Sequence, residues 1–319
     1  MQAHPDDRDL MGRKFVFIVN PNSANGSTGR RWRSLATRIR SRIGDFGELF
    51  TSRSGEAAEL TRHALEGGAD VVVAVGGDGT INEVVNGFFD AEGRIVRPEA
   101  SLGLFPRGTG SDFLRTLAYA SSDTEAVAAR LRTPRKRRID VGRIEYEDHD
   151  GAARSRYFVN VASFGTSGLV DRYVNRTTKV LGGKASFMIG SVRGLLAYRE
   201  RRCEVRFDDG PWEEHSITNL AVANGRFFGG GMMVAPEAEV DDGLFDVTIW
   251  SGFGLKDFAL HSRRLYDGTH LELKGASSRR ARKVEARCDE ECLLDVDGEA
   301  LGRLPVTITV LPGALSLIA

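Results

Sequence analysis

Cysteine is scarce: Cys203, Cys288 and Cys292 are the whole set in 319 residues. So odd and sparse a set argues against a disulfide-framed secreted scaffold and for reduced thiols in a cytoplasmic setting. Cys288 and Cys292 have no second Cys or His pair nearby, so zinc is not expected. No apolar run reaches the roughly 20 residues that a membrane-crossing helix needs. The opening MQAHPDDRDLMG has no basic stretch followed by an apolar one, so it reads as a loose tail and not as an export signal. Net charge is absent as well, 44 Lys and Arg against 44 Asp and Glu, which removes any global case for nucleic acid. Common catalytic signatures are missing too. Gly183-Lys184 is followed by Ala185, so there is no G-x-x-x-x-G-K-[ST], and neither H-R-D, H-E-x-x-H nor G-x-S-x-G occurs.

What is present is an ordinary globular composition, 41% hydrophobic and 28% charged, in a chain long enough for two domains. The charge is unevenly spread. Arg30, Arg31, Arg33, Arg38, Arg40 and Arg42 fall within thirteen residues that contain no acid. Arg132, Arg135, Lys136, Arg137 and Arg138 form a second basic run, and Arg279, Arg280, Arg282 and Lys283 a third. Each alone reads as a solvated face; together they also suit anionic phosphates or an anionic membrane surface.

The stretch 70–89, DVVVAVGGDGTINEVVNGFF, organises the first half. Val71 to Val75 suit a strand buried on both faces. Gly76, Gly77, Asp78, Gly79 and Thr80 follow, and Ile81, Val84, Val85 and Phe88 then recur at helical spacing. Strand, glycine turn and helix together present bare N–H groups to an anion, and a Cβ would hold a phosphate off. The plainer reading is a tight turn with Asp78 as a helix cap. Strands are also expected at 14–19, 48–51 and 102–105, with helices after residue 29, at 55–66 and from 113. The first and last of those strands run into Asn20 to Gly29 and Pro106 to Asp112, both rich in Gly, Asn, Ser and Thr. Ligands of open parallel sheets bind off the carboxyl ends of strands, so three such loops should share one crevice.

Near residue 133 helical periodicity gives way to alternation, at 137–144, 156–161, 203–207, 216–223, 244–250, 293–296 and 306–310. Asp208-Asp209-Gly210 signals a hairpin. With helices expected at 167–180, 185–198 and 255–266, the second half reads as an antiparallel β-sandwich. The fold class is therefore α/β followed by β.

Acids beside glycines supply the chemistry: Asp78, Asp112, Asp140, Asp241, Asp242, Asp297 and Glu299. Phosphoryl transfer needs a phosphate cradle, hard oxygen ligands for Mg²⁺ and a carboxylate to take the acceptor's proton. Most Asp residues are surface or capping groups, and each of these alone has that explanation.

GGDGTINEVVNGF (76–88), preceded by VNPNS (19–23) and followed by FPRGTGSDFLR (105–115), resembles the diacylglycerol kinase catalytic-domain family, in particular its soluble bacterial lipid kinases. These are related to sphingosine and ceramide kinases and, more distantly, to NAD kinases and phosphofructokinases. IDVG (139–142), FVN (158–160), VAP (234–236), VDDGLFD (240–246) and DGE (297–299) extend the resemblance over about residues 14–312. It implies a tail at 1–12, a parallel-sheet ATP domain at 13–135, a β-sandwich lipid domain at 136–305, and a segment 306–319 returning to the first domain. ATP would lie against Asn20, Pro21, Asn22, Ser23, Thr51, Gly76, Gly77, Asp78, Gly79, Thr80, Ile81, Asn82 and Thr109. Asp78, Asp112 and Asp140 resemble the network around a catalytic Mg²⁺, and Glu299 the general base, with Asp78 also catalytic. Glu239, Asp242 and Leu244 resemble a separate structural magnesium site. Ser111 stands where the family usually has Asn, and Ala24-Asn25 where Gly is common.

The expected reaction is transfer of the γ-phosphate of ATP to a lipid hydroxyl, with diacylglycerol the acceptor on family grounds. Phe164, Phe227, Phe228 and Met232 are the apolar residues considered for holding acyl chains, with plain core as the alternative. The expected setting is cytoplasmic, peripheral to the inner membrane leaflet, with no nucleic acid; a homodimer is compatible with it. The alternatives are an NAD kinase, which shares GGDGT, and a nucleotide- or lipid-sensing module without turnover.

Overall fold

The computed structural model describes residues 12–108, 112–119, 123–169 and 198–319. The tail through residue 11, the helices expected at 185–198 and over most of 167–180, and Thr109 and Ser111 lie outside them. The chain forms two compact units: residues 1–139 with 313–319, and residues 140–312.

In the first unit the expected alternation is present: β1 (Phe15–Val19), α1 (Ser27–Ile43), β2 (Gly47–Phe50), α2 (Glu56–Glu66), β3 (Val71–Gly76), α3 (Asp78–Gly87), β4 (Ser101–Pro106), α4 (Asp112–Thr116) and α5 (Thr124–Arg132). Every residue of β1, β3 and β4 is buried, as strands covered on both faces require. Phe15, Phe17, Val19, Val71, Val73 and Val75 pack with Trp32, Ala36 and Ile39 of α1 and Val127 and Leu131 of α5. The helices α2 and α3 pack on each other and against β1 and β3. The strands run parallel in the order β2-β1-β3-β4, and beside β4 lies the far end of the last strand, with Ser316 opposite Ser101 and Leu317 opposite Leu102. Ser101 and Ser316 share a hydroxyl hydrogen bond of 3.1 Å there, and Tyr119 Oη donates to the Ile318 carbonyl.

The second unit is the antiparallel β-sandwich. Its strands are β5 (Lys136–Asp148), β6 (Ala153–Phe158), β7 (Val161–Gly165), β8 (Arg201–Phe207), β9 (Trp212–Ile217), β10 (Asn219–Ala223), β11 (Phe227–Phe228), β12 (Met232–Met233), β13 (Phe245–Trp250), β14 (Ala276–Ala281), β15 (Lys283–Cys288), β16 (Leu293–Val296) and β17 (Glu299–Ile318). One helix, α6 (Leu255–Asp267), matches its expected position. One path of strands reads β14-β13-β10-β7-β16-β17, while β15, β8 and β9 follow from β17, and β5 and β6 pair. Phe158, Phe164, Val205, Phe245, Val284 and Ile308 are among the residues of the shared core.

Several local expectations need correction. The run 156–161 is two strands broken at Val159-Asn160, and 216–223 is two strands broken at Thr218. The run expected at 306–310 is part of a twenty-residue strand, β17. The third basic run needs none: its side chains on and between β14 and β15 stay exposed or half-exposed, although three of the four meet acids. Arg279 pairs with Glu213 at 2.7 Å, Arg280 with Asp242, and Lys283 with Glu285 at 3.1 Å. Phe164 is plain core.

Candidate active site

Three strand ends of the first unit meet. From β1, the Asn20 N–H donates to the Val75 carbonyl (3.0 Å), and Asn20 Nδ2 donates to Thr80 Oγ1 (3.0 Å) in the first turn of α3. From β4, the Arg107 N–H donates to the Gly76 carbonyl at 2.7 Å. The glycines are what allow this approach. A Cβ on Gly108 would stand 2.7 Å from the Gly77 Cα, closer than real Cβ contacts come.

The β1 loop curls back on itself. Asn20 Oδ1 accepts from the Asn22 N–H (3.0 Å), Ser23 Oγ donates to the Asn20 carbonyl (2.8 Å), and the Gly26 N–H reaches the Asn22 carbonyl (3.0 Å). Ala24 and Asn25, where glycine is common in the family, take φ of 51° and 54° ahead of Gly26 at 75°. Side chains thus accept a left-handed run here that glycine would adopt at lower cost. The α3 helix begins after extended Gly77, an N-cap that has no side chain to offer its helix. Amides at a helix start are suited to oxyanions.

Asp78 opens α3, and its Oδ2 accepts the Asp112 N–H at 3.3 Å. Asp112 is 6% exposed, with Arg115 Nη1 at 3.4 Å. The two carboxylates therefore stand at adjacent loop ends, and hard oxygen donors so placed fit Mg²⁺. Asn82 and Ile81 are buried in α3, and Thr51 closes β2 with its N–H on the Val19 carbonyl (2.9 Å). Glu83, which the sequence reading passed over, caps α2: it accepts the Gly55 N–H at 2.8 Å and the Ala57 N–H at 3.1 Å. The E of GGDGTINE was its signal, three residues past the turn of a helix.

The other named residues lie in the second unit. Asp140 is 1% exposed, and its Oδ2 accepts the Gly243 N–H at 2.7 Å while its own N–H donates to the Val240 carbonyl. It thus fastens the Val240 to Leu244 loop. Asp297, at φ 50°, spreads its carboxylate over the N–H groups of Val159 (3.3 Å), Asn160 (3.2 Å) and Val161 (2.9 Å). That is the break between β6 and β7. Glu299 pairs with Arg156 Nη2 at 2.7 Å.

In the magnesium site expected here, Asp242 would offer its carboxylate and Glu239 and Leu244 their main-chain carbonyls. Asp242 Oδ1 accepts the Leu244 N–H (3.0 Å), and Oδ2 is engaged by the Arg280 guanidinium. The β13–β14 register sets Arg280 opposite Asp246, so the strand pairing itself carries a cation to this loop. Nearby Asp246 is 4% exposed, and burial pushes its carboxyl up to about 6, with Glu237 and Glu239 acting the same way and Arg226 opposing.

A parallel-sheet unit with glycine-rich strand ends and a motif aspartate between them, followed by an antiparallel sandwich, has a kinase fold of the NAD-kinase-like class. Residues 14–144 match a diacylglycerol kinase catalytic domain, and residues 160–319 match the YegS C-terminal NAD kinase beta sandwich-like domain. A Chromohalobacter salexigens protein named probable lipid kinase YegS-like is 32% identical over 274 residues, 84% of this chain and 82% of its own. A Bacillus subtilis diacylglycerol kinase is 28% identical over 255 residues, 80% of this chain and 79% of its own. Among solved structures, a diacylglycerol kinase from Bacillus anthracis superposes with a TM-score of 0.69 at 22% identity over 96% of each chain. Yeast NADH kinase complexed with NADH gives 0.52 at 11%, covering 96% of this chain and 83% of that one, a likeness of fold. The chain belongs to the diacylglycerol kinase catalytic-domain family and is a lipid kinase, with ATP its phosphoryl donor.

Proposed function

We propose that the protein phosphorylates diacylglycerol to phosphatidic acid. The observation that carries this reading is the meeting of three glycine-rich strand ends around the Asp78–Asp112 pair. Relatives named diacylglycerol kinase support the acceptor. Main-chain amides of Gly76 to Asn82 and of the β1 loop bind the polyphosphate, with Thr51 beside them. Asp78 and Asp112 would hold Mg²⁺, which when bound neutralises charge developing on the phosphate oxygens. Glu299 takes the hydroxyl proton as the lipid oxygen attacks the γ-phosphorus and ADP leaves. Arg156, at 2.7 Å, orients that carboxylate. The exposed side of α1, with Arg30, Arg31, Arg33, Arg38 and Arg42, supports docking on an anionic leaflet. Among the described residues no helix is long and apolar enough to cross a membrane.

The test is an acceptor panel with purified protein and radiolabelled Mg·ATP: diacylglycerol, sphingosine, ceramide and NAD, resolved by chromatography. Label is expected in phosphatidic acid; label in NADP alone would reverse the reading. In the same assay Glu299→Gln should lower kcat by about 10³-fold or more while ATP affinity stays within about twofold. Wild-type kcat in this variant excludes Glu299 as the base.

A further inference from the structure

Beside the three strand ends sits a cation that no shared glycine motif accounts for. The Arg107 main chain is fixed by its N–H on the Gly76 carbonyl at 2.7 Å and by the Gly108–Gly77 backbone contact that follows it. Its side chain turns toward the start of α1, where Nε lies 3.5 Å from Thr28 Oγ1 and Nη2 lies 3.5 Å from Ser27 Oγ. Those are the outer edge of hydrogen bonding, so the guanidinium is steered and not saturated. Among the described residues it forms no ion pair. Its charged neighbour is Arg31, another cation. Burial, and then the Arg31 charge, hold the Arg107 guanidinium below its ordinary pKa. A half-buried guanidinium beside a like charge is unfavourable in the free protein. Such an arrangement is relieved by an anion.

The first turn of α1 adds to this. It holds no acidic residue, and its N-cap Gly26 makes no side-chain hydrogen bond to the helix start. Thr28 is fully buried, and its Oγ1 lies 2.7 Å from Ser23 Oγ, whose own hydrogen is given to the Asn20 carbonyl. Hydroxyls of Ser27 and Thr28 therefore form a floor against which the guanidinium rests.

We propose that Arg107 is a polyphosphate anchor. It grips the terminal phosphates of a nucleoside triphosphate between β4 and the start of α1, with Arg31 adding attraction from farther out. The ligand chemistry is a chain of phosphates bearing several negative charges, met by the planar donor fork of arginine. This rests on the reading of the site as an ATP site, and names a residue that sets how tightly the nucleotide's charged end is held.

The test uses the full chain, with calorimetric binding of Mg·ATP, Mg·ADP and adenosine, and steady-state kinetics with a micellar lipid acceptor. Arg107→Ala should weaken ATP about tenfold and raise KM for ATP by a similar factor, with kcat changed by no more than about threefold. Adenosine binding should be unchanged, and Arg107→Lys should recover part of the loss. The melting temperature of Arg107→Ala without nucleotide should equal or exceed that of wild type, since a self-repelling cation is gone; a merely structural arginine would lower it. If wild type binds ATP and Arg107→Ala binds it equally well, or loses ATP and adenosine alike, the anchor is overturned. If wild type binds no ATP at all, the kinase reading itself fails, and the anchor with it.

Discussion

The two units use their motif residues in different ways. In the first, backbone does the presenting: glycines let β3 and β4 touch main chain to main chain, and α3 starts without a side-chain cap. In the second, carboxylates tie the main chain down. Asp297 gathers three amides, Asp140 takes the Gly243 N–H, and Asp242 takes the Leu244 N–H and Arg280. The same residue type, aspartate, therefore means different things on the two sides. A motif aspartate in the first unit faces other loops, whereas one in the second is largely committed to its own fold.

That contrast can be broken most forcefully at Asp297. Replacing it with alanine leaves three N–H groups without a charged acceptor and puts a Cβ residue without a polar tip at φ 50°. The expected loss is about 3 kcal/mol or more in urea unfolding; an unchanged midpoint would mean that the acid is no tie. Next comes Gly108→Ala, whose added carbon meets the Gly77 backbone. Stability should fall by about 1–3 kcal/mol, and Mg·ATP affinity should fall with it as the loops separate. Unaltered nucleotide affinity would remove the argument from close approach. The effect confined to a narrow pH window belongs to Asp246. Its folded pKa of about 6 lies above the ordinary 3.8, so the native state retains a proton that the unfolded chain has released. Stability is therefore fully present below about pH 4 and declines as pH rises through 6, by up to about 3 kcal/mol at 1.36 kcal/mol per pKa unit. The Arg226 charge opposes the shift and limits that decline. Asp246→Asn should lack it, so the two stability–pH curves should separate between pH 4 and 6.

The first unit was the easier to read from sequence because its signals are local. Runs such as Val71 to Val75 declare a buried strand, and Gly76 to Thr80 a phosphate turn, without reference to any distant residue. The sandwich hides its logic in long-range partners. The basic stretch from Arg279 to Lys283 is a solvated face, and only the fold shows that three of its cations meet Glu213, Asp242 and Glu285. The break at Val159-Asn160 exists because Asp297 collects those amides, a contact no window of sequence contains. β17 was cut short for a related reason. Pro305, Pro312 and Gly313 ordinarily end strands, yet pairing with β16, β15, β5 and β4 carries the strand through them. Of the motif residues, Asp78 of GGDG accepts the main-chain N–H of Asp112 of GTGSD. The Arg156 partner of Glu299 and the Arg280 partner of Asp242 carry no motif of their own.

One consequence of β17 concerns synthesis. Residues 313–319 belong to the first unit and supply the parallel neighbour of β4, although some two hundred residues separate the two in the chain. A nascent chain that has just emerged through β4 and α5 cannot complete that sheet; it must wait on the ribosome until the sandwich has been translated. The first sheet and the sandwich are thus completed together, and a partly made chain has no finished edge beside β4.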